Sequence, residues 1–287
     1  MKKNRKIEIA SSRGFCAGVE RAIDIVEEAL QKSGAPLYVR HDIVHNDYVV
    51  NSFKSRGVVF VEELSDVPEG RCVIFSAHGV APDVESEAEA LGLSYIDATC
   101  PIVKKIHRKA VALKNDGYTV LLIGHKVHPE IIGTLGHLGG EGVVIESIDD
   151  IKLLSIPEDT FKITYLTQTT LSPDDVKDIV SALEVRFPNL KNPDRHDVCY
   201  ATLERQKAVR GMAEECDVIL VIGSPESSNS NRLKEVANSA GAEAYLINSY
   251  KDIPENVLVG KMSVGITAGA SAPEILVEEV FDCLRKN

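Results

Sequence analysis

Asp97-Ala98-Thr99-Cys100-Pro101 joins an apolar run, Leu91 to Ile96, to a basic helical pattern, Ile102 to Leu113. Proline is favoured at the first helical position, where its missing N–H leaves no bond unmade. Pro101 therefore starts the helix and sets Cys100 at or beside the N-cap. A thiolate there is stabilised by the positive end of the helix dipole and by unpaired amides, and the thiolate is the form that binds metal or attacks an electrophile. Two other cysteines share this setting. Cys16 follows Ile7-Glu8-Ile9-Ala10 and precedes Val19 to Leu30, while Cys199 follows His196-Asp197-Val198 and precedes Leu203 to Cys216. The chain reads as three strand, cysteine, helix units that can converge on one centre.

Working outward, short apolar runs alternate with amphipathic helical patterns almost throughout, which is the signature of α/β units with parallel sheets. Cys72 to Ala77, Tyr95 to Cys100, Val120 to Ile123, Phe161 to Leu166 and Val218 to Ile222 read as strands. Pro82 to Leu91, Pro173 to Arg186, Arg232 to Ala240 and Pro273 to Arg285 read as helices. Cys16, Cys100 and Cys199 stand 84 and 99 residues apart, about one small domain each. Three related α/β modules are expected, over 1–98, 99–194 and 195–287, repeating in pattern rather than in identity. Pro188 to Asp194 is the expected linker.

Composition narrows the function classes. The chain has 287 residues, 44% of them hydrophobic, enough for a sizeable core. Its most apolar segments fall far short of the ~20 residues a membrane span needs. Met1 to Lys6 is basic but no apolar segment of signal-peptide length follows, so a cytoplasmic protein without a membrane partner is expected. A net charge of −11 argues against nucleic acid, whose binding draws on Lys and Arg neutralising phosphates. Six cysteines, at 16, 72, 100, 199, 216 and 283, form no C-x-x-C pair, so any metal site must be assembled by tertiary structure. Cys72, Cys216 and Cys283 lie in or beside apolar patterns and read as small buried hydrophobes.

Ligands of open parallel sheets bind beyond the carboxyl ends of the strands, and unusual polar residues collect there. His45-Asn46, Ala77-His78-Gly79, His128-Pro129-Glu130, Ser227-Ser228-Asn229 and Ala270-Ser271-Ala272 supply the imidazoles, hydroxyls and amides that bind a diphosphate or similar dianion. Each alone has a plainer reading. Ser227 to Asn229 and Ser271 suit helix N-caps, His45 and His78 suit structural roles, and Glu130 suits the first turn of a helix. Glu130 in a loop facing the same centre is equally a proton shuttle, and the hydroxyls of Thr167-Gln168-Thr169-Thr170 can orient a substrate hydroxyl. His41, His107, His125, His137 and His196 read as structural. Three thiolates without local spacing suit an iron-sulfur cluster better than zinc. Three ligands on a 4Fe-4S cluster leave one iron open as a Lewis acid, while the cluster supplies electrons.

These residues resemble the 4-hydroxy-3-methylbut-2-enyl diphosphate reductases, the LytB/IspH family of the non-mevalonate isoprenoid pathway. The resemblance runs nearly end to end: Gly14 to Val19, Val44-His45-Asn46, Ser76 to Val80, Asp97 to Pro101, His128-Pro129-Glu130, Thr167 to Thr170, Cys199 to Thr202, Ser227 to Ser230 and Thr267 to Pro273. It implies a clover-like fold of three α/β modules around a 4Fe-4S cluster bound by Cys16, Cys100 and Cys199. It implies diphosphate held by His45, His78, His128, Ser227, Ser228, Asn229 and Ser271, protons relayed by Glu130, and Thr169 on the substrate hydroxyl. The implied reaction is a two-electron reductive dehydroxylation of the allylic diphosphate to isopentenyl and dimethylallyl diphosphates. Electrons would come from ferredoxin or flavodoxin, to a monomer or weak dimer. Val127, Glu226 and Leu203-Glu204 depart from the family pattern, and Glu226 is expected to face solvent because an inward carboxylate would repel a diphosphate. The rival readings are a zinc hydrolase or other non-redox phosphate-binding protein, and a scaffold without catalysis.

Overall fold

The computed structural model describes residues 5–192 and 197–286. In chain order the strands are β1 (Lys6–Ile9), β2 (Leu37–Arg40), β3 (Val58–Val61), β4 (Cys72–Phe75), β5 (Ser94–Asp97), β6 (Thr119–Ile123), β7 (Val143–Ile145), β8 (Ile163–Thr167), β9 (Leu190–Lys191), β10 (Val218–Ile222), β11 (Glu243–Ile247) and β12 (Ser263–Ala268). The helices are α1 (Ala17–Ser33), α2 (Asp47–Ser55), α3 (Pro82–Ala90), α4 (Pro101–Asn115), α5 (Pro129–His137), α6 (Ile148–Lys152), α7 (Pro173–Arg186), α8 (Tyr200–Ala213), α9 (Ser228–Ser239) and α10 (Glu274–Lys286). The strands form three parallel four-stranded sheets, β1-β12-β10-β11, β3-β2-β4-β5 and β7-β6-β8-β9.

The expected α/β class with parallel sheets is what the molecule has, but the chain is cut differently. One compact unit comprises Met1–Glu20, Val44–Arg56 and Tyr200–Asn287 and carries the sheet of β1 and β10 to β12. The other comprises Arg21–Ile43 and Gly57–Cys199 and carries the remaining two sheets. The expected first module, 1–98, therefore loses its first strand: Lys6 to Ile9 pair with Ser263 to Ile266 of β12. The rule behind the shift is simple. Each sheet takes as an edge strand the one that leads to a cysteine, β1 to Cys16, β5 to Cys100 and β9 to Cys199. The β9 strand lies inside the stretch expected to be a linker, whose residues 193 and 194, like His196, fall outside the described residues.

Side-chain alternation explains why these sheets are covered on both faces. In β10, Val218, Leu220 and Ile222 pack toward α10, against Leu276, Val277 and Val280. Ile219 and Val221 pack toward α8 and α9, against Val209, Met212 and Leu233. All five β10 residues are fully buried, worth about 1.5–3 kcal/mol per large apolar side chain. In the second unit, Leu121 and Ile123 face α7, while Val120 and Leu122 pack on Ile106 and Ala110 of α4 and Ile131 of α5. That second face fixes the two helices whose N-termini carry Cys100 and Glu130.

Candidate active site

Each of the three cysteines is the residue immediately before a helix, α1, α4 and α8. Cys100 is the N-cap of α4 with Pro101 at the first position, as Pro101 predicts, and its side chain makes no capping bond. α8 begins at Tyr200, earlier than the expected Leu203. The backbone holds each cysteine in the same way. The amide of Cys16 donates to the Ala270 carbonyl (3.3 Å), that of Cys100 to Ala77 (3.0 Å) and that of Cys199 to Thr169 (3.1 Å). These carbonyls lie just past β12, β4 and β8, and Ala270 and Ala77 directly precede Ser271 and His78. Each cysteine is thus laced within its unit to a loop that bears an expected ligand residue. The carbonyls of Cys16 and Cys100 in turn accept from Glu20 (2.9 Å) and Lys104 (3.0 Å), the first bonds of their helices.

In the first unit, His45, Ser227, Ser228, Asn229 and Ser271 lie beyond the carboxyl ends of the sheet. α9 starts at Ser228, a turn before the apolar pattern that begins at Arg232, so Ser228 and Asn229 form its first turn and Ser227 is its N-cap, in line with the capping reading, accepting from the Ser230 amide at 3.3 Å. Polar Ser and Asn concealed this turn from hydrophobic periodicity. Asn229 is 5% exposed, and its Oδ1 accepts from the Ala270 amide (2.9 Å), while its buried Nδ2 donates to nothing among the described residues. An orphan buried donor is costly unless a ligand accepts from it. The Ser271 hydroxyl donates to the His45 carbonyl at 2.9 Å, which brings those two loops together. Glu226 is exposed, as expected, but folds back to accept from Ser224. That hydroxyl and the nearby His45 hold its carboxyl below the usual range.

In the second unit, His78, His128, Glu130 and Thr169 come together. The rings of His78 and His128 meet edge to face, 6.0 Å between centroids. Glu130 sits in the first turn of α5 rather than in a loop, with His128 as the N-cap. His128 Nδ1 accepts from the Glu130 amide at 3.2 Å, so the neutral ring carries its proton on Nε2, where it can be donated. Glu130 Oε1 accepts from the Thr169 amide (2.9 Å) and Oε2 from its hydroxyl (2.8 Å). Burial pushes this carboxyl up to about 7 despite those two bonds, and the Asp197 carboxylate adds to the rise. Asp197, not singled out by any motif, pairs with Lys109 at 2.8 Å. Val127, 84% exposed in the turn closed by the His128 amide on the His125 carbonyl (2.9 Å), has no left-handed backbone angle, which is why valine is accommodated there.

The donor chemistry fits an iron-sulfur cluster. Cys16, Cys100 and Cys199 are partly exposed at helix starts. Cys216 is buried beyond α8, as expected, with its thiol pushed up to about 11 by burial, whereas Cys72 and Cys283, expected to be buried, are partly exposed, Cys72 turning its thiol to the Val73 carbonyl within β4. Among the described residues no three His, Cys, Asp or Glu side chains are gathered tightly enough for one metal ion.

Three parallel sheets with polar loops at their carboxyl ends, three cysteines at helix starts and a protonatable buried carboxyl define a small-molecule enzyme of the α/β class. The LytB protein family model matches residues 7–285, and the chain belongs to that family. It is 50% identical over 284 residues to the 4-hydroxy-3-methylbut-2-enyl diphosphate reductase of Polaromonas sp., covering 99% of this chain and 85% of that one. It is 51% identical to the enzyme numbered 1 of that name from Rhodopseudomonas palustris, over 97% and 90% of the two chains. Among solved structures, the E-1-hydroxy-2-methyl-but-2-enyl-4-diphosphate reductase of Plasmodium falciparum superposes with a TM-score of 0.95 at 38% identity, covering 99% of this chain and 89% of that one. A second, (E)-4-hydroxy-3-methyl-but-2-enyl diphosphate reductase, described as the terminal enzyme of the non-mevalonate pathway, gives 0.69 at 35% identity over 99% and 100%. No helix of the described residues is long and apolar enough to cross a membrane.

Proposed function

We propose that this protein reduces 4-hydroxy-3-methylbut-2-enyl diphosphate to isopentenyl and dimethylallyl diphosphates, the last step of the non-mevalonate isoprenoid pathway, in the cytoplasm. The allylic C–O bond breaks, two electrons and two protons enter, and the hydroxyl leaves as water. Cys16, Cys100 and Cys199 would hold a 4Fe-4S cluster, which supplies the electrons it receives from ferredoxin or flavodoxin. The diphosphate accepts from Ser227, Ser228, Asn229 and Ser271 and from His45, His78 and His128. The orphan Asn229 Nδ2 and the proton on His128 Nε2 support this assignment.

The observation that carries the reading is Glu130. Hydroxide is a poor leaving group, so the oxygen must be protonated as it departs. A carboxyl raised to about 7 by burial holds a proton near neutral pH, and its bond to Thr169 Oγ1 forms a short relay toward a substrate hydroxyl held by Thr169. Anaerobic purification tests the reading. A brown protein with a reducible iron-sulfur signal and turnover of the allylic diphosphate is expected, whereas stoichiometric zinc without iron would overturn it. Glu130→Gln should lower turnover at least 100-fold while iron content and diphosphate affinity stay within about twofold of wild type.

A further inference from the structure

The cysteine loops are gripped from a second direction, by cations on the cysteine helices themselves. Arg205, on α8, is 5% exposed and donates to the Gly14 carbonyl from Nε (3.2 Å) and Nη2 (2.6 Å), to the Phe15 carbonyl (3.0 Å) and to the Ala201 carbonyl (2.7 Å). Gly14 and Phe15 are the two residues before Cys16. Arg21, on α1, donates to the carbonyls of Ala98 (3.4 Å) and Thr99 (3.2 Å), the two residues before Cys100. Lys109, on α4, pairs at 2.8 Å with Asp197, two residues before Cys199, in an ion pair whose side chains are 21% and 9% exposed. The cations stand five, nine and six residues after Cys16, Cys100 and Cys199. The pattern is the same each time: the helix that follows one cysteine sends a cation to the segment that precedes the next, in the order 16 to 100, 100 to 199, 199 to 16.

Neither the α/β pairing pattern nor helix stability calls for this arrangement. A buried guanidinium is expensive unless its donors are satisfied, and besides the Ala201 carbonyl of its own helix Arg205 directs its bonds at the Gly14 and Phe15 loop carbonyls, which no strand ladder uses. Its planar fork can bridge two successive carbonyls, which a lysine cannot. The amide of each cysteine is bonded to a strand-end loop, and a cation holds the segment before it, through both preceding carbonyls at Cys16 and Cys100 and through the Asp197 side chain at Cys199, so the position of each Cα is over-determined.

We infer that Arg21, Lys109 and Arg205 are positioning residues that set the three cysteines for their cofactor, each acting on the cysteine after the segment it grips. This rests on the cluster reading above. The effect is selective: losing one cation loosens one cysteine. The test uses the full chain, reconstituted anaerobically, with wild type, Arg21→Gln, Lys109→Gln and Arg205→Gln exposed to an iron chelator. Iron release and alkylation of each cysteine are followed together by mass spectrometry. Iron release is expected to be at least fivefold faster than wild type in each variant. The first cysteine alkylated should be Cys100 in Arg21→Gln, Cys199 in Lys109→Gln and Cys16 in Arg205→Gln. Lys109→Arg should restore retention, whereas Arg205→Lys should restore it only in part, since one ammonium cannot span both carbonyls.

Wild-type release rates in Arg21→Gln and Lys109→Gln, whose cations are not fully buried, overturn the inference even if Arg205→Gln fails to fold. Equal acceleration of all cysteines in every variant also overturns it, because that is general destabilisation. If wild type takes up no iron, the cofactor reading itself fails. Alkylation of the iron-free chain then decides positioning separately, with the same one-to-one pattern supporting it and its absence refuting it.

Discussion

Glu130 shows how a single side chain ties chemistry to stability. Its carboxyl ordinarily titrates near 4.5 and is raised to about 7 in the folded protein, first of all by burial. The folded state therefore binds the proton more tightly than the unfolded state. This contribution is full below about 4.5, fades as pH rises toward 7 and is gone above it. Glu130→Gln removes the titration, so denaturant unfolding at pH 5 and pH 8 should show wild type losing up to about 3 kcal/mol relative to the variant across that interval. Parallel stabilities at the two pH values would mean that the charged carboxylate is not penalised. The residue was legible in sequence as part of His128-Pro129-Glu130, but its burial was not. Its acceptor bonds come from Thr169, 39 residues on, and its electrostatic neighbour Asp197 lies farther still.

Among the elements, the loop after β4 depends on one glycine. Gly79 has φ +82°, and a Cβ there would stand 2.7 Å from His107 Cε1 and 3.0 Å from Thr99 Cγ2. His107 cannot retreat: it is buried in α4, its ring 4.1 Å from that of His137, and burial lowers it to about 4. Gly79→Ala is expected to cost about 1–3 kcal/mol and to weaken diphosphate binding through His78, measurable as a lower Tm and a higher Kd; an unchanged pair would show that the loop adapts. Helix starts marked by proline, at Pro101 and Pro173, were readable because proline acts locally. The start of α9 was legible only through its capping residues, because Ser228 and Asn229 carry no apolar period, while β9 was hidden because two residues between Pro188 and Pro193 give no strand pattern. The grips of Arg21 and Arg205 were invisible for another reason: their partners are backbone carbonyls, which any residue supplies.

For the whole molecule, chain order and sheet membership disagree at one place. Among the described residues, β1 pairs into the sheet of β10 to β12. Deleting residues 1–10 should therefore raise amide exchange at least tenfold in β12 and leave β4 and β5 protected; loss of protection in β5 instead would contradict the pairing. Three cysteines at near-regular spacing revealed the threefold repeat, because each marks the same strand-to-helix junction. The circular shift of β1 could not be read, since its Ile7 and Ile9 suit any half-covered sheet edge. That shift has a consequence in time. Lys6 finds its place beside Ser263, so during synthesis at 5–20 residues per second the first strand waits about 10–50 s for its neighbour to leave the ribosome. An unpaired apolar strand would invite association with other chains over that interval. Lys6 and Glu8 alternate with the isoleucines, placing charge along a segment that must stay solitary until the far end of the chain arrives.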